Sequence, residues 1–442
     1  RIIPEGVVGA RFAVSGDRAL VIWINYFETQ LTGRPVNVYG RILNLANGTV
    51  SDEIQYTHFR DGESGIHGGY DVTADGDEGF VVANGEHVPG IVAPAYDGIS
   101  VFQVDLDGVK QPAFTAPEIG VSTRHVRLTG ENGDFWAVFT GRNRLKAVKI
   151  QGQIHSLIDL TETRVSAFDV VRAQRGEIGR PVVAWAIDGS RNEQVQGVYL
   201  AALSIQGTID LQTQHVGGTA MEPDLFPVGD NVGLTWVSVS QGQYTIHFDL
   251  IDPRTLESLL GRPAAVHRDR DLITGSPVGA LLPTPANGAR TVVLNWLASP
   301  RAGLEGDPSP DQDVMRMLLT EEPAGSWTAG EARVIRPSES NIVGHGLVAA
   351  GTRIVSLNVD NGYGGPMCNG LCMTQIATEC EGPPTDLEIA ECRPDCTDEA
   401  LLLPGFLSCL GVLDCAAPDL DDRANACEER ADQLVLEPPP FD

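Results

Sequence analysis

Asp134-Phe135-Trp136-Ala137-Val138-Phe139 is followed by a short polar turn and then by Leu145-Lys146-Ala147-Val148-Lys149-Ile150. The first run is apolar almost throughout, as suits a strand covered on both faces. In the second, apolar and polar residues alternate, as suits a half-buried neighbour. The pair reads as a β-hairpin, and the same pair recurs along most of the chain. Its first strand returns at Ala19–Ile24, Gly79–Asn84, Pro181–Ala186, Val232–Val237, Thr291–Trp296 and Arg353–Asn358. Successive starts stand 60, 55, 47, 51, 59 and 62 residues apart. A partner strand follows each copy, from Val36, Ile99, Leu145, Val195, Tyr244, Asp313 and Gly370. A period near fifty with at least two strands per unit points to a propeller or a solenoid.

Two further strands fit each unit. A short apolar stretch ending in Gly or Asp precedes the motif, as in Phe12–Gly16, Tyr70–Asp75, His125–Gly130, Asp169–Arg172 and Asp224–Gly229. A polar edge strand follows the partner, as in the segments from Gly152, Gly207 and Arg254. Four antiparallel strands in each of seven units predict an all-β fold, a seven-bladed β-propeller, over residues 1–390. The blades are expected near 10–56, 68–116, 122–161, 165–214, 222–261, 276–336 and 344–390. Arg1–Val8 resembles Arg333–Asn341, which precedes the last unit, and so could supply a ring-closing outer strand. Trp23, Trp136, Trp185, Trp236 and Trp296 all fall in the motif strand and read as blade-to-blade packing groups.

Residues 391–442 break the pattern. Asp398–Ala416 and Asp421–Gln433 read as a helical hairpin, interrupted at Pro404 and Gly405, with an acidic, Pro-rich tail beyond. All eight cysteines (Cys368, Cys372, Cys380, Cys392, Cys396, Cys409, Cys415 and Cys427) lie in the last quarter of the chain. An even number packed so closely, with no CxxC pair and no His after His345, reads as a disulfide framework rather than a zinc site. The pairing is left open among many connectivities. The expected compartment is oxidising: secreted, periplasmic or cell-surface. The absence of an initiating Met fits an exported, processed chain, and no apolar run is long enough to span a membrane. A formal charge of −28, from 59 acidic against 31 basic residues, argues against nucleic acid as a partner.

Beyond the repeat, the chain resembles secreted bacterial propellers of the WD40-like, sialidase-like and lyase-like superfold. The likeness rests on repeat architecture over about residues 1–390. Neither the WD dipeptide nor the sialidase Asp box is present, since Ser326-Trp327-Thr328 lacks the box's Asp and Gly. No catalytic residue is carried over, and the superfold hosts many functions.

Three residue sets could carry chemistry. The starts of the innermost strands supply Arg11, Asp71, His125, Asp169, Asp224 and His345; lining a central opening, they would suit proton transfer or glycosidic cleavage. Histidines sort by the repeat to one face, in connections between strands; His67, His125, His215, His267 and His345 are the candidates for a transition metal. That set is similar in kind to the copper-holding histidines of nitrous oxide reductases, but Cys368-x3-Cys372 is followed by Met373 and no His. Asp71, Asp75 and Asp77, and the acidic run from Glu305 to Asp313, offer oxygen ligands for Ca²⁺ without EF-hand spacing. No cofactor is required by any motif: there is no Walker loop, no GxGxxG opening a helix and no GxSxG. Asn47-Gly48-Thr49 is a glycosylation sequon. The expected function is a non-enzymatic module that binds a protein or glycan through its loop-rich face. The alternatives are a secreted hydrolase or lyase acting at the channel mouth, and a metal-binding propeller.

Overall fold

The structure is a computed structural model. It describes residues 10–24, 36–59, 65–88, 96–111, 114–115, 125–141, 144–150, 154–173, 179–187, 196–204, 206–270, 272–282, 289–302, 307–308, 312–322, 325–336, 342–350 and 353–360. Among these there is no helix and there are seven antiparallel sheets. Five have four strands in chain order, the sixth has six and the seventh has two. The predicted hairpin is the middle of the third sheet: Asp134–Gly141 pairs with Val126–Glu131 on one side and Arg144–Ile150 on the other. The disulfide-rich segment 391–442, the predicted third strand from Gly370, and Arg1–Val8 lie outside the described residues.

The arrangement of the sheets closes on itself. Their innermost strands are Ala10–Ser15, Gly65–Ala74, Val126–Glu131, Ala167–Ala173, Ala220–Val228, Leu272–Leu281 and Ile342–Ala350. Each touches the next, and the last touches the first. That cyclic order makes the chain a β-propeller. The physical cause lies in the second strands, which are apolar on both faces and need a neighbouring sheet on each side. Leu20, Val82, Val138, Val183, Leu234 and Leu294, one from each of the first six sheets, are fully buried. One cluster shows the pattern: Leu145 and Ala147 of the third sheet pack against Trp185, Ala201 and Leu203 of the fourth.

The five motif tryptophans are at most 1% exposed. Trp185 stacks on the cross-strand Tyr199 at 5.7 Å, and Trp236 on the cross-strand His247 at 5.0 Å. Across the seams, His215 of the fourth sheet meets Trp236 edge-on at 5.9 Å, and His267 of the fifth sheet lies 4.9 Å from Trp296.

Two local expectations need correction. Arg254–Leu259 is not an edge strand. The chain turns there on Asp252, whose carboxylate accepts the Arg254 N–H, and the outer strand is Ala264–Asp269. The histidines do not gather in connections either. His67, His215, His267 and His345 stand within strands, and the His215 and His267 imidazoles pack on a tryptophan of the neighbouring sheet as an aromatic would.

Candidate functional site

The inner strands begin at one end of the propeller axis, and a cavity of about 440 Å³ opens there. Register fixes who faces it. In the first four sheets an apolar residue (Ala10, Tyr70, Val126, Phe168) pairs with the second strand. The residue after it (Arg11, Asp71, Arg127, Asp169) stands opposite Ile22, Ala83, Val138 and Ala184. Asp224 takes the same place opposite Thr235 in the fifth sheet, and Val278 opposite Asn295 in the sixth.

These side chains link one sheet to the next around most of the ring. The Arg11 guanidinium lies 3.9 Å from Asp71, and Asp71 accepts the N–H of Leu128 at 2.7 Å. Arg127 lies 3.7 Å from Asp169, which accepts the N–H of Leu225 at 2.8 Å. Asp224 accepts the N–H of Gly279 at 2.9 Å. Five consecutive seams, from the first sheet to the sixth, therefore carry a polar tie. On the remaining arc the cavity wall carries Phe12, Leu297, Leu347 and Leu357 beside His345. The sixth sheet is tied to the seventh elsewhere, by Asn295 donating to Ser356 Oγ at 3.4 Å and Arg336 to the Asn358 carbonyl at 3.3 Å. A second layer of ties sits nearer the turns: Ser15 donates to the Gly76 carbonyl at 2.8 Å, and Arg172 to the Asp134 carbonyl at 3.0 Å.

Electrostatics follow from this crowding. Burial raises the Asp71 carboxyl above its ordinary range, against the pull of Arg127 and Arg11. Burial likewise pushes Asp169 up to about 6, opposed by Arg127. Burial and the neighbouring Asp169 charge raise Asp224 well above the usual carboxylate range. The like charge of Arg127, with burial second, brings Arg11 down to about 10.

Of the six ring candidates from sequence, Arg11, Asp71, Asp169, Asp224 and His345 line the cavity. His125 does not; it stands exposed just before its strand, and Arg127 occupies the ring position. Sequence reasoning placed the ring two residues early in that sheet. Aligning on the apolar residue before the ring position would have found Arg127. Glu222 and Ser276 were also missed. Both line the cavity, both have positive φ (52° and 47°), and both sit at bulges in the inner strands. Such bulges re-aim side chains, and here the Glu222 carboxylate accepts the Ser276 N–H.

The metal candidates are dispersed. Among the described residues no three His, Cys, Asp or Glu side chains gather closely enough to hold one ion. His215 bonds to the fully buried Asp249 at 3.0 Å, and that carboxylate also accepts from Ser258 at 2.7 Å. His267 sits 3.7 Å from Asp269, with burial lowering its basicity. His345 bonds through Nδ1 to Asn358 at 3.0 Å and is likewise lowered by burial. The side chains of His67, Glu305, Asp307 and Asp311 lie outside the described residues. Asp71 and Asp75, four residues apart, are separated by about 13 Å along an extended backbone. Asp75 accepts from Gly133 at 3.2 Å and Gln103 at 3.1 Å, while Asp77 is an exposed turn residue.

No family model matches the sequence, and no curated protein does. Solved structures with a related fold include one described as the Dos1 propeller, 10% identical over 81% of this chain and 93% of that one, with a TM-score of 0.39. A Trypanosoma rangeli sialidase bound to sialic acid is 10% identical over 81% of this chain and 52% of its own, at 0.42. A Penicillium chrysogenum α-L-arabinanase bound to arabinobiose is 11% identical over 67% of this chain and 90% of its own, at 0.41. At such distances these likenesses carry no argument about ligand or reaction.

Proposed function

We propose that this protein is a seven-bladed, extracellular or cell-surface propeller that binds a glycan at its axial cavity without transforming it. The observation that carries this reading is the commitment of the cavity's aspartates. Asp71, Asp169 and Asp224 each accept a backbone N–H from the next sheet. A carboxylate that holds a seam together is poorly placed to shuttle protons or attack a substrate. The cavity still presents a recognition set to a ligand: Arg11 and Arg127, which meet Asp71 and Asp169 through Nε, together with His345 and Phe12. Planar polar groups beside aromatic rings suit sugar hydroxyls and ring faces, and the volume lies within the range of small-ligand pockets. In this reading Arg1–Val8 closes the ring, and residues 391–442 form a disulfide-stapled clasp or anchor. The clustered cysteines and the acidic surface support an oxidising, extracellular setting.

Titration calorimetry against neutral and acidic oligosaccharides tests the proposal. Binding at one site per chain that Arg127→Gln weakens at least tenfold is the expected result. Capture of a protein instead, with no glycan binding, would overturn it. One observation favours a second reading, a secreted glycoside hydrolase or lyase. Asp169 and Asp224 stand on adjacent inner strands, and the charge of Asp169 helps to keep a proton on Asp224, which separates the two carboxyls as an acid–base pair requires. Release of reducing sugar, abolished in a folded Asp169→Asn protein, would establish that alternative.

A further inference from the structure

Between the sixth and seventh sheets a largely apolar groove of about 520 Å³ runs over Leu282, Val293, Met317, Leu318, Ile335 and Ile354, with Arg316, Glu331 and Arg333 also in its lining. Leu318 is 44% exposed, Ile335 39% and the neighbouring Val334 49%. At the seam between the third and fourth sheets, by contrast, the third strands bury such residues: Leu145 and Ala147 share one core cluster with Ala201 and Leu203. The second strand of the seventh sheet is exceptional as well. Ile354, Val355 and Ser356 are half-buried, whereas the matching strands of the other six sheets are fully covered. Its outer edge has no paired strand among the described residues.

We propose that Gly370–Thr378 of this same chain (GLCMTQIAT) fills the groove. It would add to Arg353–Asp360 as an antiparallel third strand and lie over the outer face of the sixth sheet. Three features favour this occupant over a second copy or a foreign peptide. The segment carries no charged side chain, which suits a strand laid over a largely apolar groove. Nine residues, 361–369, separate it from Asp360, and nine residues, 188–196, join the second and third strands of the fourth sheet. That intervening run includes three glycines, which suits a reversal of direction. The inference does not depend on what the axial cavity binds.

Hydrogen exchange and carbene footprinting on the intact protein test it. The amides of Arg353–Asp360 that point away from Ile342–Ala350 should exchange slowly, and Leu318 and Ile335 should resist labelling. Met373→Asp and Ile376→Asp, one on each face of the proposed strand, should each speed that exchange by about tenfold or more and raise the labelling. Fast exchange at those outward-pointing amides in the unmodified protein would overturn the proposal. So would footprints unchanged by both variants. Protection that appears only at high protein concentration would assign the groove to a second copy and overturn it equally. If either variant fails to fold, the unmodified protein's exchange and labelling still decide.

Discussion

Asp169 concentrates the electrostatic tension of the axis. It sits between Arg127 and the Leu225 N–H, with Asp71 and Asp224 as acidic neighbours, and its carboxyl is pushed up to about 6. In the unfolded chain an aspartate loses its proton near the ordinary value of 3.8. Between those two values the folded state holds more protons, so this residue makes stability fall as pH rises through that window. Asparagine keeps an acceptor for the Leu225 N–H but cannot ionise. Asp169→Asn should therefore match the wild type near pH 4 and gain on it by on the order of 2–3 kcal/mol by pH 7. Urea denaturation at several pH values checks this; parallel curves would remove the residue from the pH dependence.

At the scale of the strand, the outer half of the fourth sheet depends on close backbone approach. Gly197 opens the third strand of the fourth sheet with φ +146°, and a Cβ there would fall 2.0 Å from the Val216 carbonyl oxygen. Gly197→Ala must push Gly197–Leu203 away from Ile209–Gly217 or distort both. A loss of about 1–3 kcal/mol is expected. Hydrogen exchange should accelerate along Ile209–Gly217 before it does along Arg180–Ile187. A variant as stable as the wild type would show that the two strands are not held so tightly.

At the scale of the molecule, the ring sets cooperativity. Every innermost strand touches two others in cyclic order, so no sheet is terminal and none can fray as the end of an open array does. Thermal unfolding should show one transition, with tryptophan fluorescence and far-ultraviolet circular dichroism coinciding. Two resolved transitions would mean that the ring breaks first at a seam. The seams on either side of the seventh sheet are the weakest candidates, because the second strand of that sheet is only half-buried.

The repeat itself was legible in the sequence. A strand covered on both faces must be apolar throughout, so DFWAVF and its six relatives announced their places, and their tryptophans announced the seams. Strand order within each sheet followed from short connections. The identity of the axial ring was legible only in part, because position along an inner strand depends on bulges such as those beside Glu222 and Ser276, which a two-residue period does not reveal. Nor could the sequence say that Asp71, Asp169 and Asp224 are engaged by Leu128, Leu225 and Gly279. Those partners lie 55 to 57 residues away and meet only when neighbouring sheets stack. Local alternation fixes which residues are buried. The choice between a structural and a ligand-facing carboxylate belongs to contacts between sheets, which tertiary structure alone creates.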